Sequence, residues 1–181
     1  MPKKITLVIS FATAQESDRP DWVFEDAEGN KLPIGKDKDT GIFCLGSDWE
    51  VGLRVETNDP EHVEFDVLNC HLITRPKLFS VRANAAYAGR YPYPSPFFDP
   101  ESNLVGQGAA VDFGSGQSQA GAQGKPQWTS IATYPCINEG SWDMRFVMTV
   151  ALYVPGTEYP QYRVFTFDPE TQVGAGTLPP R

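Results

Sequence analysis

The sequence predicts an all-β protein, an antiparallel β-sandwich of the jelly-roll or immunoglobulin-like kind. Three observations point there. Near the C-terminus, Trp142–Val154 and Gln161–Phe167 are rich in aromatic and β-branched residues and flank Pro155-Gly156-Thr157-Glu158-Tyr159-Pro160. Two such runs around a Pro/Gly turn read as a long β-hairpin. The same alternation recurs upstream, and no segment carries the spacing of an amphipathic helix. The chain also holds 16 prolines and 16 glycines, placed mainly between the periodic runs, which suits many short strands joined by turns.

Ile5–Thr13 reads as a first strand with Ile5, Leu7, Ile9 and Phe11 on one face. Trp22–Glu25 and Lys31–Ile34 flank a turn in which Glu28-Gly29-Asn30 can take positive φ. Ile42–Leu45 is a short apolar strand. Trp49, Val51, Leu53 and Val55 then alternate with Glu50, Arg54 and Glu56, a strand with one buried and one wet face. After the turn at Asn58–Glu61, the apolar positions Val63, Phe65, Val67 and Leu68 run on through Cys70, Leu72 and Ile73. Leu78–Tyr87 forms a further strand.

From Ala88 to Gln127 the pattern fails. An aromatic-proline stretch, Tyr91–Phe98, precedes a low-complexity one, Gly106–Gly124, rich in Gly, Gln, Ser and Ala. The segment 88–127 is therefore expected to be one long insertion loop, with its glycine-rich half mobile. Sheet patterning resumes at Trp128–Ile137 and continues through the terminal hairpin. In that hairpin Phe146, Met148, Val150 and Leu152 should be buried. The alternate residues Val147, Thr149, Ala151 and Tyr153 are also mostly apolar, which places the strand centrally or in an interface. About nine strands fit one domain over residues 1–173, with 174–181 as a tail.

Of the 181 residues, 40% are hydrophobic, enough for a sizeable core. The net charge of −8 disfavours nucleic acid, whose binding depends on Lys and Arg neutralising phosphates. Anionic membranes are disfavoured for the same reason, and no run reaches the ~20 apolar residues of a spanning helix. Lys3-Lys4, the apolar run after it and Ala12-Thr13-Ala14 imitate a secretory signal, but Thr6 and Ser10 interrupt the run. The segment reads as a strand of a cytoplasmic protein. Cys44, Cys70 and Cys136, odd in number and widely spaced, read as free thiols.

Candidate chemistry is sparse. Cys70 and His71 are adjacent on a strand and so point to opposite faces, a poor start for a metal site. Gly114-Ser115-Gly116 lacks the strand-to-helix context of a nucleophile elbow. Asp37–Gly41 echoes a calcium loop without its third carboxylate or its closing Glu. No cofactor is expected. The best binding candidates are Tyr91, Tyr93, Phe97 and Phe98, aromatic groups on a backbone stiffened by Pro92, Pro94 and Pro96. Such rigid anchors serve interfaces and sugar-stacking platforms, and they also serve simply to plug a sandwich end.

The chain's two ends resemble bacterial inclusion-body proteins of the PixA/AidA type. Ile5–Ile9 corresponds to the apolar first strand of that family. Phe146–Val150 followed by Val164-Phe165-Thr166-Phe167-Asp168-Pro169 corresponds to its terminal strand pair closing on Asp-Pro. The tryptophans that precede Asp-Pro in the family are Thr166 and Phe167 here, and the two inserts have no counterpart. The resemblance implies a bacterial β-sandwich that accumulates in the cell or self-associates, with no catalytic residue carried over. The expected function is thus non-enzymatic: self-association to a homo-oligomer, or binding of another protein. The alternatives are a carbohydrate-binding module using the aromatic loop, and a hydrolase or isomerase on a jelly-roll scaffold.

Overall fold

The computed structural model describes residues 2–13, 18–32, 42–46, 48–59, 63–76, 95–97, 110–114, 116–121, 124–138, 140–168 and 170–173, with the backbone alone at 42–44, 76, 140–141 and 170–173. Twelve strands and no α-helix occur among them: β1 (Lys3–Phe11), β2 (Asp21–Asp26), β3 (Ile42–Leu45), β4 (Trp49–Thr57), β5 (Glu64–Pro76), β6 (Ala110–Asp112), β7 (Gly116–Ala120), β8 (Pro126–Ser130), β9 (Tyr134–Pro135), β10 (Gly140–Tyr153), β11 (Gln161–Phe167) and β12 (Glu170–Val173). They form two sheets. The first has the order β2-β1-β4-β8-β7 with β9 beside β4, and the second β3-β12-β10-β5-β6 with β11 beside β10. Most ladders are antiparallel, as expected for a sandwich. Two are parallel, β1 with β4 and β3 with β12, and both join strands distant in sequence.

The sheets face each other through their alternating apolar sides. Ile5, Leu7, Ile9 and Phe11 are buried, as are Val51, Leu53 and Val55 opposite Phe146, Met148, Val150 and Leu152. Phe11 spans the gap, its ring centroid 5.3 Å from Phe65 and 4.9 Å from Phe165. Trp49 departs from the expected buried face. It starts β4 at the rim of the sandwich, partly exposed, with the Lys3 ammonium 4.8 Å from its ring centroid.

The terminal hairpin has the expected form: β10 and β11 pair from Phe146↔Phe167 to Leu152↔Gln161, and Gly156 in the turn takes φ of 85°. The pairing of β5 with β10 contains an irregularity between Thr149 and Val150, where Asn69 faces Thr149 and Val67 faces Val150. Leu68 is the extra residue, a β-bulge. The inward set accordingly changes phase, from Phe65 and Val67 to Cys70 and Leu72, and leaves Leu68 and Ile73 exposed on the outside.

The segment 88–127 is not one irregular loop: it contributes β6, β7 and the start of β8. β7 was not evident from periodicity because it lies at a sheet edge with Gln117 to Ala120 all exposed, so no apolar alternation marks it. Its glycine has a steric role. A Cβ on Gly116 would sit 2.2 Å from the Trp128 ring and 2.6 Å from the Thr129 carbonyl oxygen. The strand at Leu78–Tyr87 and the tail at 174–181 lie outside the described residues.

Candidate functional site

The outward side of the second sheet is the unusual surface of this molecule. Cross-strand register fixes its composition. Val147 faces His71 and Thr166, Thr149 faces Asn69 and Val164, Ala151 faces Asp66 and Tyr162, and Tyr153 faces Glu64. Opposed residues share a face. The bulge adds Leu68 to this side, and Ile73 lies beyond His71. Leu68 is 51% exposed, Val164 53% and Ile73 43%, so the middle of the sheet presents an apolar strip to solvent.

The arginines on this face are paired within the chain, and His71 lies beside an acid. Arg145 donates from Nε and Nη2 to the two carboxylate oxygens of Asp168, at 3.0 and 3.3 Å, a contact that raises the guanidinium pKa. Arg75 lies 3.9 Å from Asp143, and His71 Nδ1 lies 3.5 Å from Asp112.

The strip ends in a polar corner. Here β6 pairs with β5 only over His71–Ile73, so the first half of β5 has no strand on that side among the described residues. The β7–β8 hairpin approaches this edge from the other sheet. Between them lies a cleft of about 490 Å³ lined by Glu64, Asp66, Ser118, Gln119, Gln127 and Tyr153, with Phe65 behind them. Asp66 is fixed from both sides, accepting from Tyr153 Oη at 2.9 Å and from Ser118 Oγ at 3.3 Å. The bond to Asp66 raises the phenol pKa of Tyr153, because ionisation would place two anions together. Gln119 and Gln127 both donate through Nε2 to Thr129 Oγ1, at 3.3 and 3.2 Å, which leaves their amide oxygens as acceptors.

Of the aromatic residues singled out from sequence, Phe97 is buried within the core, its centroid 6.1 Å from that of Tyr134. Its neighbours are tied down too. The Pro96 carbonyl accepts from the backbone N–H groups of Ile137 and Asn138, and Asn138 Nδ2 donates to the Ser95 carbonyl. Tyr91, Tyr93 and Phe98 lie outside the described residues, as do His62, Ser115 and Asp37–Gly41.

Cys70 and His71 point to opposite faces as strand geometry requires, Cys70 inward with no exposure and His71 outward. Burial raises the Cys70 thiol pKa and pushes that of Cys136 up to about 12; nearby Asp112 and Asp48 add smaller increments in the same direction. Both are free thiols, and the side chain of Cys44 is not among those described. Among the described residues no three of His, Cys, Asp and Glu converge as a metal-ligand set, and no helix is long and apolar enough to cross a membrane.

Sequence reasoning missed Leu68, Asp66 and Tyr162 as surface residues of interest. One signal was available: the inward apolar positions shift from odd numbers through Val67 to even numbers from Cys70, which marks a bulge that turns Leu68 outward.

No family model matches the chain, and no curated protein matches it in sequence. Among solved structures it is similar to reduced rusticyanin, at 15% identity and a TM-score of 0.29, over 96% of this chain and 81% of the other. A second rusticyanin structure, from Thiobacillus ferrooxidans, gives 14% identity and a TM-score of 0.29, over 96% and 79%. Likeness at that level bears on neither the topology nor the chemistry of this chain.

Proposed function

We propose that this chain is a non-enzymatic β-sandwich that acts by self-association through the outward side of its second sheet. The observation that carries the reading is the strip of exposed Leu68, Ile73 and Val164 around half-buried Val147, across β5, β10 and β11. Apolar side chains gathered on one face favour leaving water together, by about 25 cal/mol per Å² of apolar surface buried.

A second copy of the chain suits this face better than an unrelated partner of opposite charge. Each copy carries a net charge of −8, so two copies repel wherever unpaired acids meet. Here Arg145 and Arg75 are already paired with Asp168 and Asp143 within one chain, and the centre of the strip is uncharged. Two such faces can meet about a two-fold axis, each presenting the same surface to the other. The resemblance of the chain's ends to inclusion-body proteins points the same way. The aromatic-loop version of this role has less support, since Phe97 is committed to the core.

The test is solution mass by multi-angle light scattering from about 10 to 100 µM, a range that captures micromolar dimers. The expected result is a dimer or larger assembly that Val164→Glu combined with Leu68→Glu converts to a folded monomer. Both side chains already point to water, so the substitutions leave the core intact. A wild-type monomer throughout that range, or an assembly indifferent to the double substitution, overturns the proposal.

A further inference from the structure

We propose that the corner where the second sheet meets the β7–β8 hairpin is a binding site for a neutral oligosaccharide. The proposal uses the end of β10 and β11, beyond the apolar strip, and stands apart from the self-association reading.

Three tyrosines lie at this end of the hairpin. Tyr153 closes β10, Tyr162 sits near the start of β11, and Tyr159 is in the turn between them; they are 45%, 67% and 73% exposed. Tyr153 and Tyr162 are diagonal neighbours on one face, because Tyr162 pairs with Ala151, two places from Tyr153. Such diagonal residues are about 7–8 Å apart, within the reach of two rings side by side. Between Tyr162 and Asp66 the register places only Ala151, the smallest side chain in the row, so the surface dips there. Aromatic rings on exposed strands offer apolar faces to the C–H side of a sugar ring while their hydroxyls stay wet.

The second half of the site is the adjoining cleft of about 490 Å³. That volume lies within the range of small-ligand pockets, about 300–1,000 Å³. Asp66 is held by Tyr153 and Ser118, each taking one of its two oxygens, which leaves further lone pairs on both. Glu64 projects on the same side of β5 as Asp66, so two carboxylates line the cleft. Sugar hydroxyls are donors in need of such acceptors. A neutral polyol also escapes the repulsion that the net charge of −8 imposes on any anionic ligand. Acceptors alone would suit a cation equally well. The adjoining tyrosine faces and the small-residue dip favour a flat, hydroxylated ring.

The experiment is isothermal calorimetry on the intact protein with a panel of neutral gluco-, manno-, galacto- and xylo-oligosaccharides, beside an arginine-rich peptide as the cationic rival. At least one oligosaccharide is expected to bind with Kd between about 10 µM and 1 mM. Tyr162→Ala and Asp66→Asn are each expected to weaken it at least tenfold. Tyr153→Phe, which keeps the ring and loses the tether to Asp66, should weaken it less than either. Both Tyr162 and Asp66 are surface residues, and unchanged melting temperatures of the variants will show that the fold persists. Absence of binding by every oligosaccharide overturns the proposal, and so does binding that ignores both Tyr162→Ala and Asp66→Asn. Binding of the peptide alone, lost with Asp66→Asn, replaces the sugar site with a cation site. Light scattering on the same samples separates this outcome from that of self-association, because Val164→Glu with Leu68→Glu should leave sugar affinity unchanged.

Discussion

The hairpins β10–β11 and β7–β8 share an antiparallel ladder and are held in place by opposite means. β10 runs through the middle of its sheet, and Phe146, Met148, Val150 and Leu152 are all buried beneath it. β7 lies at an edge, has nothing buried on either side, and is tied to the molecule through its partner β8, whose Trp128 and Ser130 face inward. One hairpin is fixed by what its side chains bury. In the other, β7 is fixed by its backbone ladder to β8, by the Ser118–Asp66 bond and by a glycine that lets Trp128 lie against it. Local composition therefore reveals a strand only where burial does the selecting.

Substitutions separate the two modes of support, and the largest effect is expected in the core. Phe146→Ala opens a cavity in the centre of the sandwich and should cost about 3–5 kcal/mol in urea denaturation. Phe97→Ala should cost a similar amount, because Phe97 belongs to the same core cluster, and should leave solution mass unchanged. A cost below about 1 kcal/mol at Phe146 would remove the contrast between the hairpins.

Gly116→Val tests the other mode of support. Its Cβ would overlap the Trp128 ring, so the expected cost is about 1–3 kcal/mol, with a change in Trp fluorescence as the indole moves. Gln119→Ala, on the same strand but exposed, should stay within about 0.5 kcal/mol of wild type. Equal effects at Gly116 and Gln119 would show that β7 is not held by the Trp128 contact.

Near neutral pH the smallest expected effects involve the buried thiols. Cys70 and Cys136 should resist a thiol reagent at pH 8 in the native protein and react after denaturation, since only the thiolate is nucleophilic. The Cys136 pKa is raised in the folded state from its ordinary 9.0 to about 12. The stability associated with the protonated thiol is thus complete below pH 9 and lost as pH climbs towards 12. A denaturation midpoint that rises between those values would contradict this sign, and Cys136→Ser should flatten the slope.

Much of the scaffold was legible because burial alternates with period two. The first strand, β4 and the terminal hairpin all show their inward residues in the sequence, and the double apolarity of β10 marks it as a central or interfacial strand. The edge strands β6 and β7 were not legible, for Ala110–Asp112 is too short to show a period and Gly116–Ala120 has no buried face to show. The pairing of strands was beyond reach for another reason: register across a parallel ladder such as β1–β4 depends on two distant segments at once. The candidate site was legible only in part. Tyr153 and its alternate neighbours signalled only a central or interfacial strand. Asp66, Ser118 and Tyr162 come together through three separate strands, and no local spacing encodes that meeting.

The parallel ladder between β3 and β12 also sets a clock. Ile42 pairs with Glu170 and Leu45 with Val173, so a strand made early in synthesis has its only described neighbour in the last strand described. β10, in turn, gains β11 and β12 only after the terminal turn has emerged. A sheet assembled from such distant partners is slow to close, because the entropy of joining far-apart segments is lost before their contacts form. During synthesis β1, β2 and β4 can pair among themselves, while β3 must wait, its edge open, until β12 has emerged.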